Sequence, residues 1–178
     1  MQNRLILLAA VLAAATFAPA VATASADDGS ANQDYVVGGG QNNPANGPTN
    51  HFAISAHSDA NGDNPFGQGL FVDTASGPPI HAFMGDVVCV RVDGNRASVL
   101  LAIDHSLNQP AALDDGGDLM FFEDNGDPVN GQSPDLMINQ RLNATQLQAQ
   151  EAAGCPAPKA ISPDRTLSAG NIVVHDAQ

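Results

Sequence analysis

The stretch Val87-Val-Cys-Val-Arg-Val-Asp-Gly-Asn-Arg-Ala-Ser-Val-Leu-Leu-Ala-Ile-Asp104 decides the fold class. On its first arm Val88, Val90 and Val92 alternate with Val87, Cys89 and Arg91, the period of two that belongs to a strand. Asp93-Gly94-Asn95 reverses the chain, and the second arm returns through Ala97, Val99, Leu101 and Ile103. Two alternating arms around a Gly-containing turn read as an antiparallel hairpin. The first arm reaches back to Ile80 across Gly85-Asp86. A bulge or bend is expected there, because glycine accepts close approach and unusual dihedrals.

The same grammar extends outward. His51-Phe-Ala-Ile-Ser-Ala-His57 puts Phe52, Ile54 and Ala56 on one face and His51, Ala53, Ser55 and His57 on the other. Phe66–Asp73 forms a second upstream strand around Leu70, Phe71 and Val72, after the turn residues Asp59-Ala-Asn-Gly-Asp63. Downstream, Asp118–Glu123 carries Leu119, Met120, Phe121 and Phe122, and Asp124-Asn-Gly-Asp-Pro128 stops it. Asp135–Asn139 is a weaker strand, and Asn171–His175 a last one. The residues around 143–153 hold the single helix-like piece, with Asn143 as its cap. Pro156, Pro158 and Pro163 then discourage regular structure. Seven or eight short strands without helical crossovers imply an all-β, antiparallel sheet. A small barrel is favoured over a sandwich, because Ile172–Val174 has the character to lie beside Val36-Val37 and close the sheet.

The domain plan follows. Residues 1–26 have a basic start at Arg4, an apolar run and small residues before Asp27, the order of a signal peptide. Residues 27–50 read as a largely flexible N-terminal segment, with a short strand near 35–37 ended by Gly38-Gly39-Gly40. Residues 51–178 read as one β-domain. Secretion is the expected destination, with no membrane insertion once the leader is cleaved. The chain has 19 Asp+Glu against 6 Lys+Arg, a net charge of -13, which leaves no clustered cations for nucleic acid or anionic lipid.

An exported chain permits a disulfide, and Cys89 and Cys155 are the available pair. The bridge would close a loop of about 66 residues, for which loop-closure entropy gives roughly 4 kcal/mol. Free or intermolecular cysteines, or a functional thiol, are the alternatives that spacing leaves open.

Asp34-Tyr-Val-Val-Gly-Gly-Gly40, Phe52-Ala-Ile-Ser-Ala-His-Ser58, Val87–Ala97, Glu123-Asp-Asn-Gly126 and Gly170-Asn-Ile-Val-Val-His175 occur in an order that resembles a family of small secreted, β-rich, functionally uncharacterised bacterial proteins, mainly actinobacterial. The resemblance spans residues 34–178. It implies export, a Cys89–Cys155 pair and one β-rich domain, and it transfers no catalytic residue.

Chemistry-bearing residues are few. His57, His81 and Arg91 are the polar side chains to check for an inward-facing catalytic group. His51 and His57 lie about 20 Å apart along one strand and cannot share a metal ion unless the strand bends. Asp59, Asn61 and Asp63 match the first three ligand positions of a calcium loop, and Glu123, Asn125 and Asp127 repeat the spacing. The glycine and the distal glutamate of a complete loop are missing, and turn-building explains the same residues. Asp114, Asp115 and Asp118 form a third acidic group. No nucleotide loop and no nucleophile elbow occur, so no cofactor is implied beyond calcium at those loops. The resulting expectation is a secreted, non-enzymatic β-domain for a small ligand or for a cell-surface or matrix role. The alternatives are a barrel-pocket enzyme of isomerase or cyclase type and a calcium-stabilised extracellular module.

Overall fold

The computed structural model describes residues 32–42, 50–74, 79–110, 113, 115–127 and 133–177. The expected leader lies outside these residues. Eight strands are present: β1 (Gln33–Asn42), β2 (Asn50–Asp59), β3 (Phe66–Asp73), β4 (His81–Asp93), β5 (Arg96–Leu107), β6 (Gly117–Glu123), β7 (Leu136–Leu142) and β8 (Leu167–His175). They form one antiparallel sheet in the order β7-β6-β5-β4-β3-β2-β1-β8. The sheet curls into a barrel-like half-shell whose concave side is the core. The last strand does lie beside the first, with Val36 opposite Val174 and Val37 opposite Val173.

The hairpin at Gly94-Asn95 is as the sequence reads. Asp93 pairs with Arg96 across a two-residue loop, and Gly94 alone takes a positive φ, of 60°. A positive φ at only the first central position fits a type II′ turn, whose twist matches the flanking strands. Register shifts occur at Met84/Gly85, where a bulge or bend is expected, and again at Val87/Cys89. The second shift corrects the simple alternation. Val88 has no cross-strand partner, so Val87 and Val90 both enter the main core while Val88 and Cys89 join a second cluster on the outer side. One inserted residue inverts the parity of all that follow.

A second correction concerns the N-terminal segment. The strand near 35–37 continues through the three glycines to Asn42 and sits inside the sheet, between β2 and β8. The β-domain therefore begins by Gln33 rather than at His51. Glycine is needed here because the neighbouring backbones press close. A Cβ on Gly38 would run into the Asn171 carbonyl, and one on Gly40 would sit 2.6 Å from the Ala169 carbonyl. Local composition suggests a break, whereas the sheet uses the missing side chains as clearance.

The concave side is filled by side chains such as Phe52, Phe71, Phe83, Leu101, Phe122 and Met137. Outside, β5–β7 are covered by the helix α1 (Ala144–Ala153) and the chain after it, which contribute Leu147 and Ile161 to a cluster with Leu100, Leu119 and Phe121. Asn143 caps α1 by accepting from the Gln146 amide, and the Gln146 side chain returns the bond. The Cys89–Cys155 disulfide, with Cα atoms 5.6 Å apart, ties this cover to β4.

Candidate functional site

The two places where the ring of strands is interrupted differ in how their backbone groups are treated. The first lies between β7 and β8. Among the described residues, an isolated bridge, Leu136 with Thr166, spans it, beside a Leu167 N–H donated to the Asp135 carbonyl at 2.8 Å. Carboxylates do the rest. Asp135 Oδ2 accepts from the Ile172 N–H at 2.8 Å, and Asp124 Oδ2 accepts from the Val174 N–H at 3.0 Å. The Asn42 side-chain amide donates to the Met137 carbonyl at 3.0 Å. Acidic side chains thus replace the missing strand for the Ile172 and Val174 N–H groups of β8. Burial pushes the Asp135 carboxyl above its ordinary range, against the opposing pull of the Ile172 and Asn125 N–H groups.

The second interruption lies along β4. Strand β3 pairs with β4 only from Asp73/His81 to Gln68/Asp86. Among the described residues, Val87 and 89–93 have a ladder partner on the β5 side alone. Because Asp93 and Arg96 flank a two-residue loop, they exchange both backbone bonds. Alternate residues Val92 and Val90 then point their N–H and C=O groups away from β5. A cavity of 370 Å³ opens there. Its wall comprises the Val90–Val92 edge, the Ala60–Gly62 turn, Asp34 and Cys155. The Gly62 turn sits close on the edge, since a Cβ at Gly62 would be 2.9 Å from the Val90 carbonyl.

Asp34 is 3% exposed. Burial raises its pKa, and the Ala177 N–H, donated to Oδ1 at 2.9 Å, works the other way. No other hydrogen bond from the described residues reaches this carboxylate. Arg91 is exposed, and no ion pair or hydrogen bond from the described residues engages its guanidinium. An acid and a base therefore border one cavity without pairing with each other.

The other sequence candidates lie elsewhere. His57 stands on the convex face in a row of four rings, His175, Tyr35, His57 and Phe66, which are direct cross-strand partners. Successive centroids are 4.7, 5.8 and 5.0 Å apart; the His175–Tyr35 and His57–Phe66 pairs stack, and Tyr35 and His57 are tilted by 38°. Desolvation lowers the His57 pKa, and its Nε2 lies 3.2 Å from Ser55 Oγ. His81 is at the far end of β4, where its Nδ1 hydrogen-bonds the Asn108 carbonyl and Asn108 in turn donates to the Ile80 carbonyl. Of the three residues His57, His81 and Arg91, only Arg91 lines the cavity.

The acidic turns hold protein donors. Asp59 accepts from the Asn64 side chain at 2.7 Å and, through its carbonyl, from the Gly62 N–H. Asn61 lines the cavity, whereas Asp63 gives its carbonyl to the Asp59 N–H. Glu123 binds Arg96 at 2.8 Å, which holds its carboxyl below the ordinary range. Asn125 bonds Asp135 and Pro134, and Asp127 is exposed. Among the described residues, no three His, Cys, Asp or Glu side chains group as metal ligands.

Asp118, placed by the sequence in an acidic loop cluster, is instead fully buried inside the shell. Desolvation lifts its pKa to about 7, and both its oxygens accept from Asn139, which with the Arg141 charge pulls the other way. Sequence reasoning also missed the roles of Asp34, Asp124 and Asp135. Only their short polar character between strands signals them, and that is shared by every turn aspartate. The chain matches no protein-family model, no curated protein and no solved structure.

Proposed function

We propose that this chain is an exported β-domain that binds a small polar ligand in the cavity at the uncovered edge of β4. One observation carries the reading: a 370 Å³ cavity lined by the buried acid Asp34, by Arg91, which no ion pair from the described residues engages, and by the ladder-free edge at Val90–Val92. That volume falls in the range of small-molecule sites, which place a few polar groups in a defined wall. Export is supported by the leader-like start and by the disulfide, which an oxidising compartment favours. A binding rather than catalytic role is supported by the scatter of His57, His81 and Arg91 over three regions and by an interior occupied by side chains. Catalysis requires such groups to converge.

The test is amide chemical-shift mapping of the mature protein with a panel of small polar molecules: amino acids, polyols, carboxylates and amines. Saturable shifts at Asn61, Gly62 and Val90–Val92 are expected for at least one class. Shifts confined to the convex face, or none at millimolar concentrations, would remove the reading.

A further inference from the structure

We infer that the cavity takes a zwitterion, a small molecule carrying one ammonium and one carboxylate, with a free amino acid as the simplest example. This rests on the binding role proposed above and names its ligand class. Asp34 and Arg91 border the same cavity, yet neither is satisfied by the other. Asp34 gives one oxygen to the Ala177 N–H and retains the second. A nearly buried carboxylate with spare acceptor capacity favours a donor cation. Arg91 carries five N–H donors in a planar fork suited to a carboxylate.

Each simpler ligand class meets one wrong charge. An anion would be drawn to Arg91 and repelled by Asp34, within a chain whose net charge is -13. A cation would suit Asp34 and leave Arg91 opposed. A zwitterion pairs both and brings no net charge against the acidic field. The Val90 and Val92 peptide groups, which line the same cavity, add donors and acceptors for its backbone-like atoms. The Ala60–Gly62 turn contributes Asn61 to the wall.

The experiment is a titration of the full mature protein, followed at the Val90, Arg91 and Val92 amides. Three probe sets are compared: glycine, alanine, leucine and phenylalanine; their N-acetyl forms, which lack the ammonium; and their amides, which lack the carboxylate. At least one free amino acid is expected to bind, with both of its blocked forms weaker by about tenfold or more. Arg91→Gln should bring the free amino acid down to the level of its amide. Asp34→Asn should bring it down to its N-acetyl form. If Asp34→Asn does not fold, the Arg91 variant and the blocked probes still decide. Equal binding of free and blocked forms overturns the zwitterion while leaving a ligand cavity in place. Binding of polyols or simple carboxylates but of no amino acid does the same. Silence at these amides for every probe class overturns both readings.

Discussion

The β7–β8 seam and the uncovered edge of β4 pose one problem, outward backbone groups without a neighbouring strand, and are treated in opposite ways. At β8 the N–H groups of Ile172 and Val174 are taken by Asp135 and Asp124, so the seam is closed by charge-assisted hydrogen bonds. At β4 the corresponding groups of Val90 and Val92 face a cavity with Asp34 and Arg91 on its wall. A closed seam holds the fold together, and an open one can recognise something. Unpaired backbone groups at a sheet edge are a liability in solution but a source of directional contacts in a ligand site.

The largest expected effect comes from the bond that ties the outer cover to β4 beside the open edge. Removing the Cys89–Cys155 disulfide, with both residues changed to alanine, should cost about 4 kcal/mol in urea unfolding. A loss near zero would mean that the cover stays docked without it. Next comes the closed seam. Asp135→Ala deprives the Ile172 and Asn125 N–H groups of their acceptor and should cost about 3 kcal/mol. The matching change at the open seam, Asn61→Ala, should stay within about 0.5 kcal/mol, because the residue is exposed. Equal losses at the two positions would erase the contrast.

Asp118 sharpens the comparison by showing a buried carboxyl with amide rather than backbone donors. Its pKa rises from 3.8 to about 7 on folding. Between those values the folded state holds a proton that the unfolded state has released. Stability therefore falls as pH rises through that window, by up to about 1.4 kcal/mol per unit, and levels off above it. Asp34 and Asp135 shift the same way and add to the slope. Asp118→Asn should make unfolding free energy visibly less dependent on pH between 4 and 7 than in the parent. An unchanged slope would show that Asp118 titrates normally.

Smaller effects test the cavity wall. Gly62 has a φ of 80° and no room for a Cβ against Val90. Gly62→Ala should cost about 1–2 kcal/mol and perturb the Val90 amide. Arg91→Gln should leave stability within about 0.5 kcal/mol, since no ion pair or hydrogen bond from the described residues is lost, while weakening amino-acid binding to the level of the amide.

What the sequence reveals of this molecule is what is local. The β4–β5 hairpin is legible because alternation and Gly94 act within a few residues. The α1 cap is legible because Asn143 and Gln146 bond each other. Strand β1 is only half legible, since Gly38–Gly40 reads as a break until the neighbouring backbones explain it. The Val88 bulge is hidden, because valines on both sides of it look alike. The seams are hidden for a different reason. Asp135 and Ile172 are 37 residues apart, Asp124 and Val174 are 50, and Asp34 and Ala177 are 143. Nothing near any of these aspartates distinguishes a strand-replacing carboxylate from a turn former. Arg91 stands out by its polarity in an apolar strand, whereas its companion Asp34 lies in a segment whose composition suggests flexibility.

Amide hydrogen exchange, resolved residue by residue, tests the open edge most directly. With one seam closed and the other open, the Ile172 and Val174 N–H groups should be strongly protected, and that of the partly exposed Val92 should exchange orders of magnitude faster despite lying in a longer strand; Val90, 1% exposed, is shielded by the core. Protection of Val92 equal to that of Ile172 and Val174 would contradict the open edge and, with it, the ligand site.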